Sequence, residues 1–143
     1  MQTERLPFEN TLDVHGGRWN SPGAAVVYTS QSLSLAALEM LVHLEPEHLL
    51  ESYRAIAVTF DEELARTLTR EQLPRNWRSD RPPPRLQAVG NEWVKNNTSA
   101  VLRVPSVIIP EESNFLLNPA HPDFHRLTIG KPRRFQFDPR LAT

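Results

Sequence analysis

The apolar residues between Ser32 and Leu44 repeat with the period of a helix. Leu33, Ala36, Ala37, Met40, Leu41 and Leu44 share one face, and Leu35, Leu38 and Val42 cover most of the remainder. A helix apolar nearly all round is a buried one, and Ser30 stands where an N-cap would. Ahead of it, residues 25–29 read as a buried strand and residues 5–8 as a short edge strand. Behind it, Glu45-Pro46-Glu47 stops the helix, and residues 53–60 alternate through Ile56, Val58 and Phe60 as a strand should. Residues 61–72 are polar and charged, with the character of a helix of weak amphipathicity. Residues 73–84 hold Pro74, Trp77 and three successive prolines, which predicts an extended surface segment of polyproline II character. Residues 85–96 predict a second helix whose inner face is Leu86, Val89, Trp93 and Val94, weakened by Gly90. Strands follow at 100–104, 115–118 and 133–137, with a short apolar piece at 107–110 and a loop carrying two histidines at 120–126.

The alternation of short strands with two helices gives an α+β fold. A length of 143 residues fits one domain with a real core. Thirteen prolines against five glycines indicate many fixed connections. A net charge of −1 supplies no field that would draw the chain to nucleic acid or an anionic membrane. Cysteine is absent, which removes disulfides, thiolate metal sites and a cysteine nucleophile. No apolar run approaches the roughly 18 residues that a bilayer span needs, and no secretory signal opens the chain. The expectation is a soluble, cytoplasmic protein, in which the sequons at Asn96 and Asn97 carry no meaning.

Two ionisable residues interrupt the first helix. Glu39 and His43 are four apart and so lie one turn apart on one face. A carboxylate in an apolar helix is costly unless it works or is paired. Either that face opens onto a cleft or the two residues satisfy each other. His43 alone reads as a structural or orienting residue. Arg18 sits beside Gly16-Gly17, where backbone can approach a ligand closely and a guanidinium can grip phosphate or carboxylate in bidentate fashion. A surface arginine beside a turn is the plain alternative. Tyr28 ends a strand and can stack on a ring and offer its hydroxyl, or simply fill core. Ser106, after Val104-Pro105, can bind a ligand hydroxyl or cap backbone. A short turn joins the Tyr28 strand to the helix, so Arg18, Tyr28 and Glu39 can converge at one end of the sheet. Gly-x-Ser-x-Gly, the P-loop and Gly-x-Gly-x-x-Gly are all missing. His121, Asp123 and His125 alternate as metal ligands can, but equally as polar side chains that fix a loop's path, and no metal site is expected.

Several blocks taken together resemble a known family. Gly16-Gly17-Arg18-Trp19-Asn20-Ser21-Pro22-Gly23, Val26-Val27-Tyr28-Thr29-Ser30, Ala37-Leu38-Glu39, Val104-Pro105-Ser106 and Asn118-Pro119-Ala120-His121-Pro122 are similar to the RES domain, named for an arginine, a glutamate and a serine. Here those correspond to Arg18, Glu39 and Ser106. The resemblance implies a single RES domain over 1–143, with its N-terminal segment shortened and its first strand shortened or missing. It implies an ADP-ribosyltransferase-like fold, with small central β-sheets flanked by helices. It also implies the toxin of a RES–Xre toxin–antitoxin pair, with NAD as the substrate and no metal. The reaction would cleave the nicotinamide–ribose bond and pass ADP-ribose to water, phosphate or a protein acceptor. The partner would be an Xre-like antitoxin with a toxin-binding domain; the toxin itself would touch neither nucleic acid nor membrane. On this resemblance Arg18 would bind a phosphate or the adjacent ribose, Tyr28 would pack on nicotinamide, and Glu39 would hold ribose hydroxyls and stabilise developing positive charge. His43, Ser106 and Asn118 would complete the NAD site, and Trp19 would belong to the core. The arginines between Arg75 and Arg85 form either an acceptor surface or a solvated loop. The alternative to an enzyme is a catalytically silent module of the same fold that binds NAD or a partner.

Overall fold

The computed structural model describes the backbone of residues 2–6 and 12–13 and all of residues 17–142. Its framework is a sheet that, among the described residues, joins nine strands in the order β5-β6-β7-β3-β1-β4-β8, with β2 added to β3 and β9 to β4. The strands are β1 (Gln2–Leu6), β2 (Leu12–Asp13), β3 (Val26–Ser30), β4 (Tyr53–Phe60), β5 (Ala65–Thr67), β6 (Val101–Pro105), β7 (Ser113–Leu117), β8 (Thr128–Ile129) and β9 (Arg133–Phe135). The two α-helices are α1 (Leu33–Leu41) and α2 (Pro84–Lys95). Pairing is antiparallel except between β5 and β6, whose parallel register requires the crossover that α2 provides. No helix among the described residues is long and apolar enough to cross a membrane.

Side chains alternate between the two faces of a strand, and here each face builds a separate core. One face gathers Val27, Val58, Phe60, Val101, Phe115 and Leu117 under Leu64 and Leu127. Phe60 and Phe115 meet edge to face at 5.4 Å, an arrangement that aromatic quadrupoles favour. The opposite face gathers Val26, Leu102, Val104 and Leu116 under Trp19 and the α2 residues Leu86 and Trp93. A smaller cluster of Met40, Leu49 and Phe137 ties α1 to the C-terminal segment.

The helix at 33–41 is shorter than its pattern predicts. Ser32, not Ser30, caps it, accepting from the Leu35 N–H at 3.1 Å. Nor is it buried all round: Leu35, Ala36 and Met40 are buried, while Leu38 and Val42 are exposed. Residues 61–72 are not a helix. They form two 3₁₀ turns, Glu62–Leu64 and Arg70–Gln72, around the edge strand β5. Residues 73–83 form no helix or strand, but they are not extended: turns close from the Pro74 carbonyl to the Trp77 N–H and from the Asn76 carbonyl to the Ser79 N–H, and Trp77 packs against the α2 core. A strand does form near the start of the chain, but at Gln2–Leu6, sharing only Arg5 and Leu6 with the expected one, and it is central rather than an edge, hydrogen-bonded to β3 and β4. Pro7 and Phe8 of that reading lie outside the described residues. Gly90, read as a weakness in α2, is its closest contact: a Cβ there would lie 1.7 Å from the Trp19 carbonyl oxygen.

Candidate functional site

The segment that carries Arg18 is pinned by α2. Gln87 donates from Nε2 to the Gly17 carbonyl at 2.9 Å. Asn91 accepts from the Ser21 N–H and donates to the Ser21 hydroxyl, both at 2.9 Å. The segment is closed on itself by the Gly17–Asn20 bridge. Asn20 is fully buried and donates to the Ser21 and Ala24 carbonyls. Its Oδ1 accepts from the Tyr28 hydroxyl, so Tyr28 reaches from β3 onto this loop. The Tyr28 ring tip lies against Gly17, where an added Cβ would be 2.7 Å from the hydroxyl oxygen. Only glycine allows that approach. The result is a loop bearing Arg18 fastened to the Tyr28 side chain on the α2 face of the sheet.

Arg18 spends part of its fork on the 73–84 segment. Its Nη1 donates to the Trp77 carbonyl at 3.1 Å and the Ser79 carbonyl at 2.9 Å. The same segment is laced to the turn after Ser106 by Arg78, which donates to the Val107 carbonyl at 3.0 Å, and by Arg70, which donates to the Pro110 carbonyl. Burial lowers the Arg18 pKa from its ordinary value, and the negative charges of Glu39 and then Asp80 oppose that shift.

Glu39 is half-buried on α1 and turned toward the ends of β6 and β7. Its Oε2 accepts from Asn114 Nδ2 and stands 3.5 Å from the Ser106 hydroxyl. Ser106 is fully buried and caps its own turn, accepting from the Ile108 N–H at 3.1 Å and the Ile109 N–H at 3.0 Å. The backbone-capping reading of Ser106 is the one these bonds match, and its hydroxyl also faces Glu39.

The six residues singled out from the sequence thus divide. Arg18, Tyr28, Glu39 and Ser106 fall on one side of the sheet around the ends of β3, β6 and β7. His43 does not join them. It lies beyond the end of α1 on an exposed turn, its N–H bonded to the Met40 carbonyl at 3.1 Å, and no bond links it to Glu39. Of the two alternatives for Glu39, the pair with His43 does not form: Glu39 bonds Asn114 and nears Ser106, because the helix ends before His43 can stack on its last turn. Asn118 sits past the opposite end of β7 from Asn114, fully buried. Its Oδ1 accepts from the Ala120 N–H at 3.1 Å, and its Nδ2 faces Asn97 at 3.5 Å, so its observed contacts belong to the 118–121 turn. His121 holds the same loop: Nδ1 accepts from the Asp123 N–H at 2.9 Å, which leaves Nε2 to donate to the Asn97 carbonyl at 3.0 Å. His125 Nδ1 meets the Pro122 carbonyl at 2.8 Å. These contacts match the path-fixing reading of that loop. Asn20 and Asn114 are the contributors that sequence reasoning missed. Asn20 lay inside a quoted block, and a buried amide beside a Gly-Gly-Arg loop was the available signal. Asn114 had none, being a polar residue at the start of an apolar strand.

Residues 5–138 match the profile of a family described as the RES domain. A protein named Toxin Res from Yersinia enterocolitica is 39% identical over 130 residues, covering 90% of this chain and 86% of that one. A protein named Prs ADP-ribosylating toxin from Sphingobium sp. is 42% identical over 132 residues, covering 90% of this chain and 81% of that one. Among solved structures, a chain of the M. tuberculosis MbcT–MbcA toxin–antitoxin complex superposes with a TM-score of 0.75. It covers 99% of this chain and 86% of its own at 18% identity, a likeness of fold. A profile match over nearly the full sequence, with relatives at these identities, has one plain meaning: the chain belongs to the RES domain family.

Proposed function

We infer that this protein is the toxin of a toxin–antitoxin pair and that it acts by consuming NAD. The names of its relatives, one of them an ADP-ribosylating toxin, supply the direction. The observation that carries the reading is that Glu39 reaches Asn114 and Ser106 while Tyr28, two positions along β3 from the Asn114 partner Ser30, reaches the loop that carries Arg18. Arg18, Tyr28 and Glu39 suit the parts of a dinucleotide. A guanidinium, with donors left beyond Nη1, suits a pyrophosphate oxygen. An aromatic ring suits the nicotinamide face. A carboxylate suits ribose hydroxyls.

When the nicotinamide–ribose bond breaks, its electron pair leaves with the nicotinamide, which departs neutral. Positive charge then builds on the ribose. No strong acid is needed to help the leaving group. What helps is a fixed negative charge near the ribose, and Glu39 supplies it. Arg18 keeps the phosphates from competing for the same cation. ADP-ribose then passes to water, phosphate or a protein side chain. The partner we propose is an antitoxin that covers this site, in line with the MbcT–MbcA pairing of the fold neighbour.

The test is nicotinamide release. The purified chain mixed with NAD should liberate nicotinamide, and Glu39→Ala should abolish that release while leaving the folding transition in place. Undiminished release by Glu39→Ala would remove Glu39 from its role. A wild-type chain that neither releases nicotinamide nor arrests growth when expressed alone would leave the silent binding module. Mass spectrometry of the product, with and without phosphate and cell lysate, identifies the acceptor.

A further inference from the structure

A half-buried carboxylate acts on a substrate only in the rotamer its surroundings hold. Two groups from the sheet reach Glu39 Oε2. Ser106 is the weaker of them, because its oxygen already accepts two backbone N–H bonds and 3.5 Å is the outer limit of a useful contact. Asn114 supplies the main grip from Nδ2. An amide, however, presents a donor on one side and an acceptor on the other. Turned over, Asn114 would aim Oδ1 at the carboxylate, acceptor against acceptor.

Ser30 stands against that flip. It is buried, lies directly opposite Asn114 in the β3–β7 register, and places its hydroxyl 2.7 Å from Asn114 Oδ1. Since Asn114 must show Nδ2 to a carboxylate, its Oδ1 faces Ser30, and the serine hydroxyl must be the donor. The three side chains form a one-way chain of donors: Ser30 to Asn114, Asn114 to Glu39.

We propose that Ser30 and Asn114 are positioning residues for the NAD reaction, Ser30 by orienting the Asn114 amide and Asn114 by fixing Glu39 Oε2 so that Oε1 is left for the ribose. This rests on the reading that Glu39 handles NAD. Neither residue touches substrate. Both act through the carboxylate, so their loss lowers turnover more than it lowers NAD binding.

The experiment compares Asn114→Leu, Ser30→Ala, Ser30→Thr and the Ser30→Ala/Asn114→Leu double variant of the whole chain, by steady-state nicotinamide release and by crystal structure. Asn114→Leu, close in size but without the donor, lowers kcat on the order of ten- to a hundredfold, as loss of a hydrogen bond to a charged group does, with KM for NAD nearly unchanged. Ser30→Ala lowers kcat less, and Ser30→Thr, which keeps the hydroxyl, restores it. The double variant is no worse than Asn114→Leu alone, since Ser30 works only through Asn114. Losses that multiply, or a KM effect as large as the kcat effect, overturn the proposal. The crystal structure gives a readout independent of turnover: in Asn114→Leu the Glu39 carboxylate leaves its wild-type rotamer. A carboxylate that stays in place overturns the positioning role even if activity falls. One that moves, in a protein whose wild type releases no nicotinamide, upholds the positioning role and overturns the NAD reading instead.

Discussion

The two α-helices use apolar residues for opposite ends. In α2 the large ones line one side: Leu86 and Trp93 are buried with Gly90 against Trp19 and the sheet, and the exposed positions are polar apart from Pro84 and Ala88. In α1 apolar residues occur on every side, yet Leu38 is 40% exposed and the following Val42 60%. The helix with the tidier pattern builds core and pins the arginine loop. The helix with the more uniform pattern is the one left half-open, and it carries Glu39. The apolar density of a helix therefore does not measure its burial; what covers it does, and among the described residues α1 packs chiefly on β1, β3 and the small Met40–Leu49–Phe137 cluster.

The contrast can be broken most severely at Gly90. Gly90→Ala forces a Cβ into the Trp19 backbone and should cost about 3 kcal/mol of stability, at the upper end for overpacking. Urea denaturation read at Trp fluorescence checks it; a loss under about 0.5 kcal/mol would show that α2 shifts freely on the sheet. Next is Glu39→Gln, which keeps the shape but removes the charge. It should reduce nicotinamide release on the order of a hundredfold, the scale of one preorganised electrostatic group, and leave the urea midpoint close to wild type. A large stability change would instead make Glu39 part of the α1 scaffold. Ser32→Ala removes the α1 cap and should cost about 1 kcal/mol, with amide exchange quickening in the first turn of α1 and not in α2. The smallest effects belong to Leu38→Ser and Val42→Ser. Each should stay within about 0.5 kcal/mol, as exposed sites do; a loss nearer 2 kcal/mol would mean that this side of α1 is covered in the isolated protein.

Much of this architecture was legible one element at a time. The strand at Tyr53–Phe60 and the helix at Pro84–Lys95 follow from periodicity alone, because each presents one face to a core and the pattern records it. β5 left no such record. It is a three-residue edge strand, mostly exposed, held by backbone pairing to β6, so it is lost among charged neighbours that look like those of a solvated helix. Arg18, Glu39 and Ser106 could be named from residue type and the family resemblance. What each of them bonds to could not. Arg18 meets carbonyl groups of Trp77 and Ser79, which every residue type possesses and no sequence advertises. Glu39 meets Asn114 rather than its helical neighbour His43, because α1 stops after Leu41 while the β3–β7 pairing brings Asn114 beneath it. Ser30 reads as the cap from sequence because it ends the strand ahead of the helix; the turn geometry gives the cap to Ser32 and leaves Ser30 to face Asn114.

The bond from Asn114 to Glu39 joins positions 75 residues apart. Closing so wide a separation is slow and comes after local helices and hairpins have formed. A ribosome that has released only the first hundred residues has therefore made the helix bearing the carboxylate but not the strand that aims it. On the reading proposed above, NAD turnover waits for β7 to emerge and dock, because until then nothing holds the carboxylate.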